Sequence, residues 1–146
     1  MKFPYIRVPY RSGNGVKITS VLRPLIRIGL NTINSETINT FALIDSGADY
    51  CISPSAFGEQ IGLSIKNNSW IDIFGISGQP IRFYFHDIIL TIGGWQKESR
   101  IGFSPDLKLD HVILGQKGFF DLYTINFDYK KEDIELKEHI SLKTSH

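Results

Sequence analysis

Ala42-Leu43-Ile44-Asp45-Ser46-Gly47-Ala48-Asp49-Tyr50-Cys51-Ile52 is the stretch on which the reading of this chain turns. Three apolar residues lead a strand out of a core, an Asp stands at its exposed end, and a hydroxyl residue follows. Gly47 then lets the chain turn sharply enough for backbone N–H groups to point back at the carboxylate. An Asp-Ser-Gly by itself is a common turn, so the flanks have to decide between a solvent-facing bend and a fixed carboxylate.

Outward toward the N-terminus, Thr37 to Ile44 reads as a strand, the polar run Asn31 to Glu36 as a loop, and Arg23-Pro24-Leu25-Ile26-Arg27-Ile28-Gly29-Leu30 as a second strand. Ahead of these lies an arm in which Tyr5 to Tyr10 alternates apolar and polar residues. Ser12-Gly13-Asn14-Gly15 supplies turn chemistry before a return over Val16 to Leu22. Pro4 and Pro9 lack a backbone donor and place this arm at a sheet edge.

Outward toward the C-terminus, Ser53 is a candidate helix cap with Pro54 at the first helical position and Gly62 as the stop after Ile61. Trp70 to Phe74 and Gln79 to Ile92 form a long hairpin turned by Gly75-Ile76-Ser77-Gly78. Gly93-Gly94 turns into a further strand over Trp95 to Phe103, and Pro105 to Asp110 is loop. His111-Val112-Ile113-Leu114 reads as a buried strand ending at Gly115, Gln116 to Leu122 as two helical turns, and Thr124 to Lys137 as a period-two closing hairpin.

Composition agrees with a mostly β chain: 22 Ile, 12 Leu, 10 Phe and 4 Val stand against only 3 Ala in 146 residues. That length suits a single domain over 1–146, with no repeat or linker to divide it. With 16 basic and 15 acidic residues, nothing in the overall charge favours nucleic acid or an anionic membrane, and no apolar run approaches the roughly 18 residues of a membrane span. The single cysteine, Cys51, cannot pair within the chain, and Met1 to Arg7 lacks an apolar signal core, so a soluble cytoplasmic protein is expected. His86, His111, His139 and His146 show no ligand spacing with one another or with Cys51, and no phosphate loop or Gly-x-Ser-x-Gly is present. Neither a metal nor a cofactor is expected. Cys51 is read as a buried inert thiol, and Trp70 and Trp95 as packing residues rather than stacking platforms.

Arg23-Pro24-Leu25 opening one strand, Asp45-Ser46-Gly47-Ala48-Asp49 closing the next, the glycine-flanked turn 75–78, and Ile113-Leu114-Gly115 with Gly115 standing 70 positions after Asp45 occur in the order of a known family. From about Arg23 to Phe120 the chain resembles the retropepsin-like, retroviral-type aspartic proteases. The resemblance implies an acid-protease barrel with a flap hairpin and one or two short helices, flanked by an N-terminal arm over 1–22 and a C-terminal hairpin over 124–137. It implies that Asp45 is the catalytic aspartate, that the Ser46 hydroxyl braces the two active-site loops of a homodimer, and that the Gly47 amide supports the carboxylate. Asp49 then holds substrate backbone at the cleft ends, and Gly75, Ile76, Ser77 and Gly78 form the flap tip over an extended peptide. No cofactor, nucleic acid or membrane enters that scheme.

The chain departs from the pattern in two places. Gln116-Lys117 follows Gly115 where the retroviral enzymes commonly carry an Arg paired with the residue matching Asp49, which leaves Arg23 or Lys117 as its candidate partner here. The charged hairpin 124–137 replaces or extends the family's C-terminal dimer strand. Because the chain has one Asp-Ser/Thr-Gly, paired-carboxylate chemistry needs Asp45 of a second copy. The expected function is an aspartic endopeptidase. The alternative is a non-catalytic dimeric binding or assembly module on the same fold.

Overall fold

The computed structural model describes residues 1–11, 13, 18–75 and 78–139. It is 58% strand and 7% helix, the mostly β architecture that the Ile- and Phe-rich composition predicts. The elements follow one another as β1 (Lys2–Pro4), β2 (Ile6–Arg11), β3 (Ile18–Arg23), β4 (Leu25–Asn31), β5 (Ile38–Ile44), β6 (Cys51–Pro54) and α1 (Ser55–Gln60). A 3₁₀ turn, Ile65–Asn67, leads to β7 (Trp70–Phe74), β8 (Pro80–Ile92), β9 (Trp95–Ser104), β10 (Val112–Leu114), β11 (Tyr123–Asp128) and β12 (Asp133–Glu138).

Six strands close a barrel in the order β4-β5-β10-β6-β9-β8, sealed by an antiparallel pairing of β8 with β4 at Gly29↔Thr91 through Asn31↔Ile89. Period-two alternation decides which side chains fill it. Ile26, Ile28 and Leu30 of β4, Ala42 and Ile44 of β5, and Ile88, Leu90 and Ile92 of β8 point inward and are buried, with Arg27 outside. Each fully buried aliphatic side chain is worth roughly 1.5–3 kcal/mol over an exposed one, so this pattern fixes the register.

The long strand β8 changes face along its length. Phe83 and Phe85 are buried at its start, then His86, Ile88, Leu90 and Ile92. The first half pairs with β7 as a hairpin projecting from the barrel, and the second half is a barrel stave. Gly78 at the hairpin tip has φ +76 and donates its N–H to the Gly75 carbonyl at 3.1 Å, the tight turn its sequence predicts. Ile76 and Ser77 lie outside the described residues, as do Ser12 and residues 14–17 of the N-terminal turn. Gly93 and Gly94, both at positive φ, make the two-residue turn between β8 and β9.

The arm and the closing hairpin also form. β2 and β3 pair with each other, and β11 pairs with β12. β1 adds to the outer side of β12, with Phe3 opposite Ile134, so the two ends of the chain share one three-stranded sheet. Pro4 and Pro9 sit in strands with one open side, as expected. An ion pair between Lys97 and Glu138 ties this sheet to β9.

Two local expectations are corrected. Ser53 does not cap α1: it is the third residue of β6, its hydroxyl bonds to the Pro54 carbonyl, and Pro54 itself (φ −55, ψ 142) stands at the cap position without a side-chain bond. Gln116 to Leu122 forms hydrogen-bonded turns rather than a regular helix. Gly118 at φ +103 breaks the helical path there, and the Gln116 and Lys117 N–H groups are committed to Ala48 and Asp49 carbonyls across the barrel end.

Candidate active site

The Asp45 loop is held where β5 leaves the barrel. The parallel pairing of β5 with β10 sets Leu43 beside Ile113 and Ile44 beside Leu114. The ladder continues past the strand end, with Asp45 N–H donating to the Leu114 carbonyl at 3.0 Å and Ile44 N–H to the Pro24 carbonyl at 3.0 Å. Beyond the turn, Gln116 N–H donates to Ala48 O (2.8 Å), Lys117 N–H to Asp49 O (2.9 Å) and Cys51 N–H to Lys117 O (3.3 Å). Segments some 70 residues apart in sequence are thereby zipped together on both sides of Asp45.

Asp45 is half-buried, and its Oδ1 accepts the Gly47 N–H at 2.9 Å. Among the described residues, Oδ2 takes no hydrogen bond. A charge-assisted bond from a backbone donor fixes one carboxylate oxygen and leaves the other to a ligand or water. The Ala48 N–H donates to the Asp45 backbone carbonyl at 3.2 Å, which closes the turn. Asp45, Ser46 and Gly47 are therefore gathered on one rigid loop, as their adjacency predicts. The Ser46 hydroxyl is exposed and has no hydrogen-bond partner among the described residues.

Gly115 makes this close approach possible. A Cβ there would collide with the Tyr50 carbonyl oxygen and lie 2.6 Å from that of Ala48, both backbone atoms that cannot swing aside. Its N–H donates to the Cys51 Sγ at 3.4 Å. Burial pushes the Cys51 thiol up to about 12, against a smaller opposing effect of the Gly115 backbone bond. Cys51 is fully buried and neutral, in accord with the inert thiol read from the sequence.

Asp49 stands exposed on the far arm of the same loop. Neither partner suggested by the sequence reaches it: no Lys, Arg or His nitrogen lies within 4.0 Å of its carboxylate among the described residues. The Lys117 ammonium instead sits 5.5 Å from the centre of the Tyr50 ring. Gln116 is the residue that sequence reasoning missed. Its Nε2 donates to the Ser46 carbonyl at 2.7 Å, a bond whose only sequence signal is its place immediately after Gly115.

The β7–β8 hairpin is stiffened from outside. Arg82 on β8 makes two bonds to Asp72 on β7, at 2.9 and 3.2 Å, and its guanidinium lies 3.4 Å from the centre of the Trp70 ring. The Arg82 bonds hold the Asp72 carboxyl below the usual carboxylate range. Trp70 and Trp95 are both about half exposed, at 49% and 52%, so of the core or interface packing expected for them the core is ruled out. At the base of this hairpin, His86 bonds the Ile65 carbonyl at 2.8 Å and the Asn68 amide at 3.2 Å. Gly75 and Gly78 are at the hairpin tip and make no hydrogen bond to the Asp45 loop among the described residues. A cavity of about 980 Å³ lies to one side, walled by Tyr50, Trp70, Phe85, Ile88, Lys117 and Leu122 among others but not by Asp45.

No helix is long and apolar enough to cross a membrane, and no three His, Cys, Asp or Glu side chains converge as metal ligands, among the described residues. No family model and no curated protein matches the chain. Among solved structures it is similar to EIAV protease complexed with the inhibitor HBY-793, at 19% sequence identity and a TM-score of 0.49 over 64% of this chain and 82% of that one. The fold is a mostly β, closed six-stranded barrel from which the β7–β8 hairpin projects.

Proposed function

We propose that residues 1–146 form one domain that is half of an aspartic endopeptidase, completed when a second copy brings its own Asp45 to the first. The observation that supports this most is the state of Asp45 itself. Its carboxylate stands at the mouth of a closed barrel, with one oxygen held by the Gly47 N–H at 2.9 Å and the other without a protein partner. A solvent-facing turn would need neither the zipper to β10 nor the glycine that admits it.

Two such carboxylates close enough to share a proton cannot both ionise, so the pair presents one acid and one base. The ionised Asp45 takes a proton from a water lying between them as the water oxygen attacks the scissile carbonyl carbon, and the protonated Asp45 gives its proton to the carbonyl oxygen. As the resulting gem-diol collapses, one of its hydroxyls returns a proton to the ionised Asp45, the C–N bond breaks, and the nitrogen leaves as an amine carrying the proton held by the other Asp45, which leaves the dyad again with one proton. No covalent intermediate arises. A twofold axis between the Asp45 loops supplies the geometry, with Ser46 bracing one loop against the other. The flap tip, Gly75 to Gly78, covers an extended peptide held by backbone hydrogen bonds, and Asp49 engages it toward the ends of the cleft. The lateral cavity is not this cleft; one copy provides only one wall over Asp45. A single inert thiol suits the reducing cytoplasm, where we place the protein.

The test is Asp45→Asn, assayed on a peptide library beside the parent protein with unfolding profiles recorded for both. Cleavage should fall by about 10²–10⁴-fold, the usual contribution of a general acid–base. A folded variant that cleaves as well as the parent refutes the proposal. A parent that sediments as a dimer and cleaves nothing favours the non-catalytic module.

A further inference from the structure

The peptide unit joining Ser46 to Gly47 is hydrogen-bonded at both ends. Its N–H donates to Asp45 Oδ1 at 2.9 Å, and its carbonyl accepts from Gln116 Nε2 at 2.7 Å. Since a carbonyl only accepts, the amide face turned toward Ser46 has to be the nitrogen. The Gln116 backbone is itself pinned, its N–H donating to the Ala48 carbonyl at 2.8 Å, so the side chain reaches from a fixed root.

That peptide unit needs holding. Gly47 lacks a Cβ and tolerates rotations that would be strained elsewhere, so nothing in its own stereochemistry stops the 46–47 plane from turning over. Turned over, it would aim the Ser46 carbonyl at the Asp45 carboxylate and withdraw the N–H. A donor on the opposite end of the same plane opposes that rotation. Bonds in series through one peptide group also polarise each other, which strengthens the N–H bond to the carboxylate.

We propose that Gln116 is a positioning residue for Asp45, acting through the 46–47 peptide to hold the Gly47 N–H on the carboxylate. The inference rests on Asp45 being the reacting acid, and it assigns a task to the residue at which this chain departs from the retroviral pattern. A neutral amide braces the loop without bringing a cation to it, which accords with Asp49 having no cation within 4.0 Å among the described residues.

The experiment compares the parent with Gln116→Met, which keeps length and loses the donor, and Gln116→Glu, which when ionised turns an acceptor toward the Ser46 carbonyl. Gln116 is exposed, so both variants should fold. The first readout is the Gly47 amide in a ¹⁵N-labelled sample: its proton resonance should move upfield and exchange faster in both variants, with the Asp45 N–H, bonded to Leu114, unchanged. The second is turnover: kcat should fall by about 3–10-fold in Gln116→Met, the range of one hydrogen bond, with KM within about twofold. Gln116→Glu should fall further and recover as the pH is lowered to protonate the new carboxyl, which a merely structural role would not produce. An unmoved Gly47 amide overturns the inference, as does a moved amide with unchanged kcat. Absence of cleavage by the parent refutes the peptidase reading instead, and the Gly47 resonance then decides the hydrogen-bonded geometry alone.

Discussion

Replacing Gly115 by Ala tests whether the Asp45 loop depends on the approach of two backbones. The new methyl group would lie 2.6 Å from the Ala48 carbonyl oxygen and closer still to that of Tyr50. A contact that short is relieved only by moving β10 away from the loop. Overpacking of a tight interior typically costs about 1–3 kcal/mol. The movement also stretches the Gln116 N–H bond to Ala48 and the Lys117 N–H bond to Asp49, each worth about 0.5–1.5 kcal/mol net. The expected destabilisation is about 3–5 kcal/mol, a third or more of the stability of a typical domain. Urea unfolding at one fixed protein concentration measures it. With a slope of about 2 kcal/mol per molar, the midpoint should fall by about 2 M. Gly62→Ala is the control, since Gly62 has φ +87 with open space around it and should lose only about 1–2 kcal/mol from backbone strain. If Gly115→Ala unfolds within about 0.5 kcal/mol of the parent, or costs no more than Gly62→Ala, the crowded crossing is not what fixes the loop.

The buried Cys51 thiol gives a pH signature. Its value is raised from 9.0 to about 12 on folding, so its contribution is fully present below pH 9 and is lost as pH rises from there toward 12. Relative to Cys51→Ala, which lacks the titration, the parent should lose about 1.4 kcal/mol of stability per pH unit above 9, read from paired unfolding curves; parallel pH profiles would count against it. On the flap, Arg82 holds the Asp72 carboxyl low, so the pair is intact above the carboxylate range and breaks as pH falls through the lowered value. Trp70 fluorescence should report that break on acidification, and in Arg82→Met, which has no pair to break, the Asp72 titration should move to higher pH; an unchanged titration would show that the stacked guanidinium does not control Asp72.

Much of the site was legible because its determinants are local. Ala42 to Ile52 announces a strand, an acid and a turn by residue type alone, and the Gly93-Gly94 turn and both arms of the β11–β12 hairpin follow from glycine conformations and period-two alternation. What escaped depends on partners far away in sequence. Gln116 to Leu122 has apolar spacing suited to a helix, but Gly118 stands at φ +103 and the Lys117 and Gly118 carbonyls are spent on Cys51 and Ser99, which local propensity does not register. Ser53 has the chemistry of a cap, but its hydroxyl bonds the Pro54 carbonyl inside a strand paired with β9. Opposite charge suggests Arg23 or Lys117 as the partner of Asp49; only the path of the side chains shows that Lys117 goes to Tyr50. The addition of β1 to β12 joins residues separated by nearly the whole chain, and no short-range pattern encodes it.

The insertion of β10 between β5 and β6 has a consequence for the order in which the protein comes into being. Asp45, its turn and the flap are all synthesised before Val112, yet Asp45 has no ladder partner until Leu114 has been added and Gly115 to Lys117 have threaded past Ala48 and Tyr50. A ribosome-bound chain stopped short of that strand carries the acid on a loose end. Closing so long a loop is slow compared with forming the neighbouring hairpins. The carboxylate is therefore among the last parts of the barrel to acquire a fixed position, and an incomplete chain lacks that order for the same reason that the finished one has it.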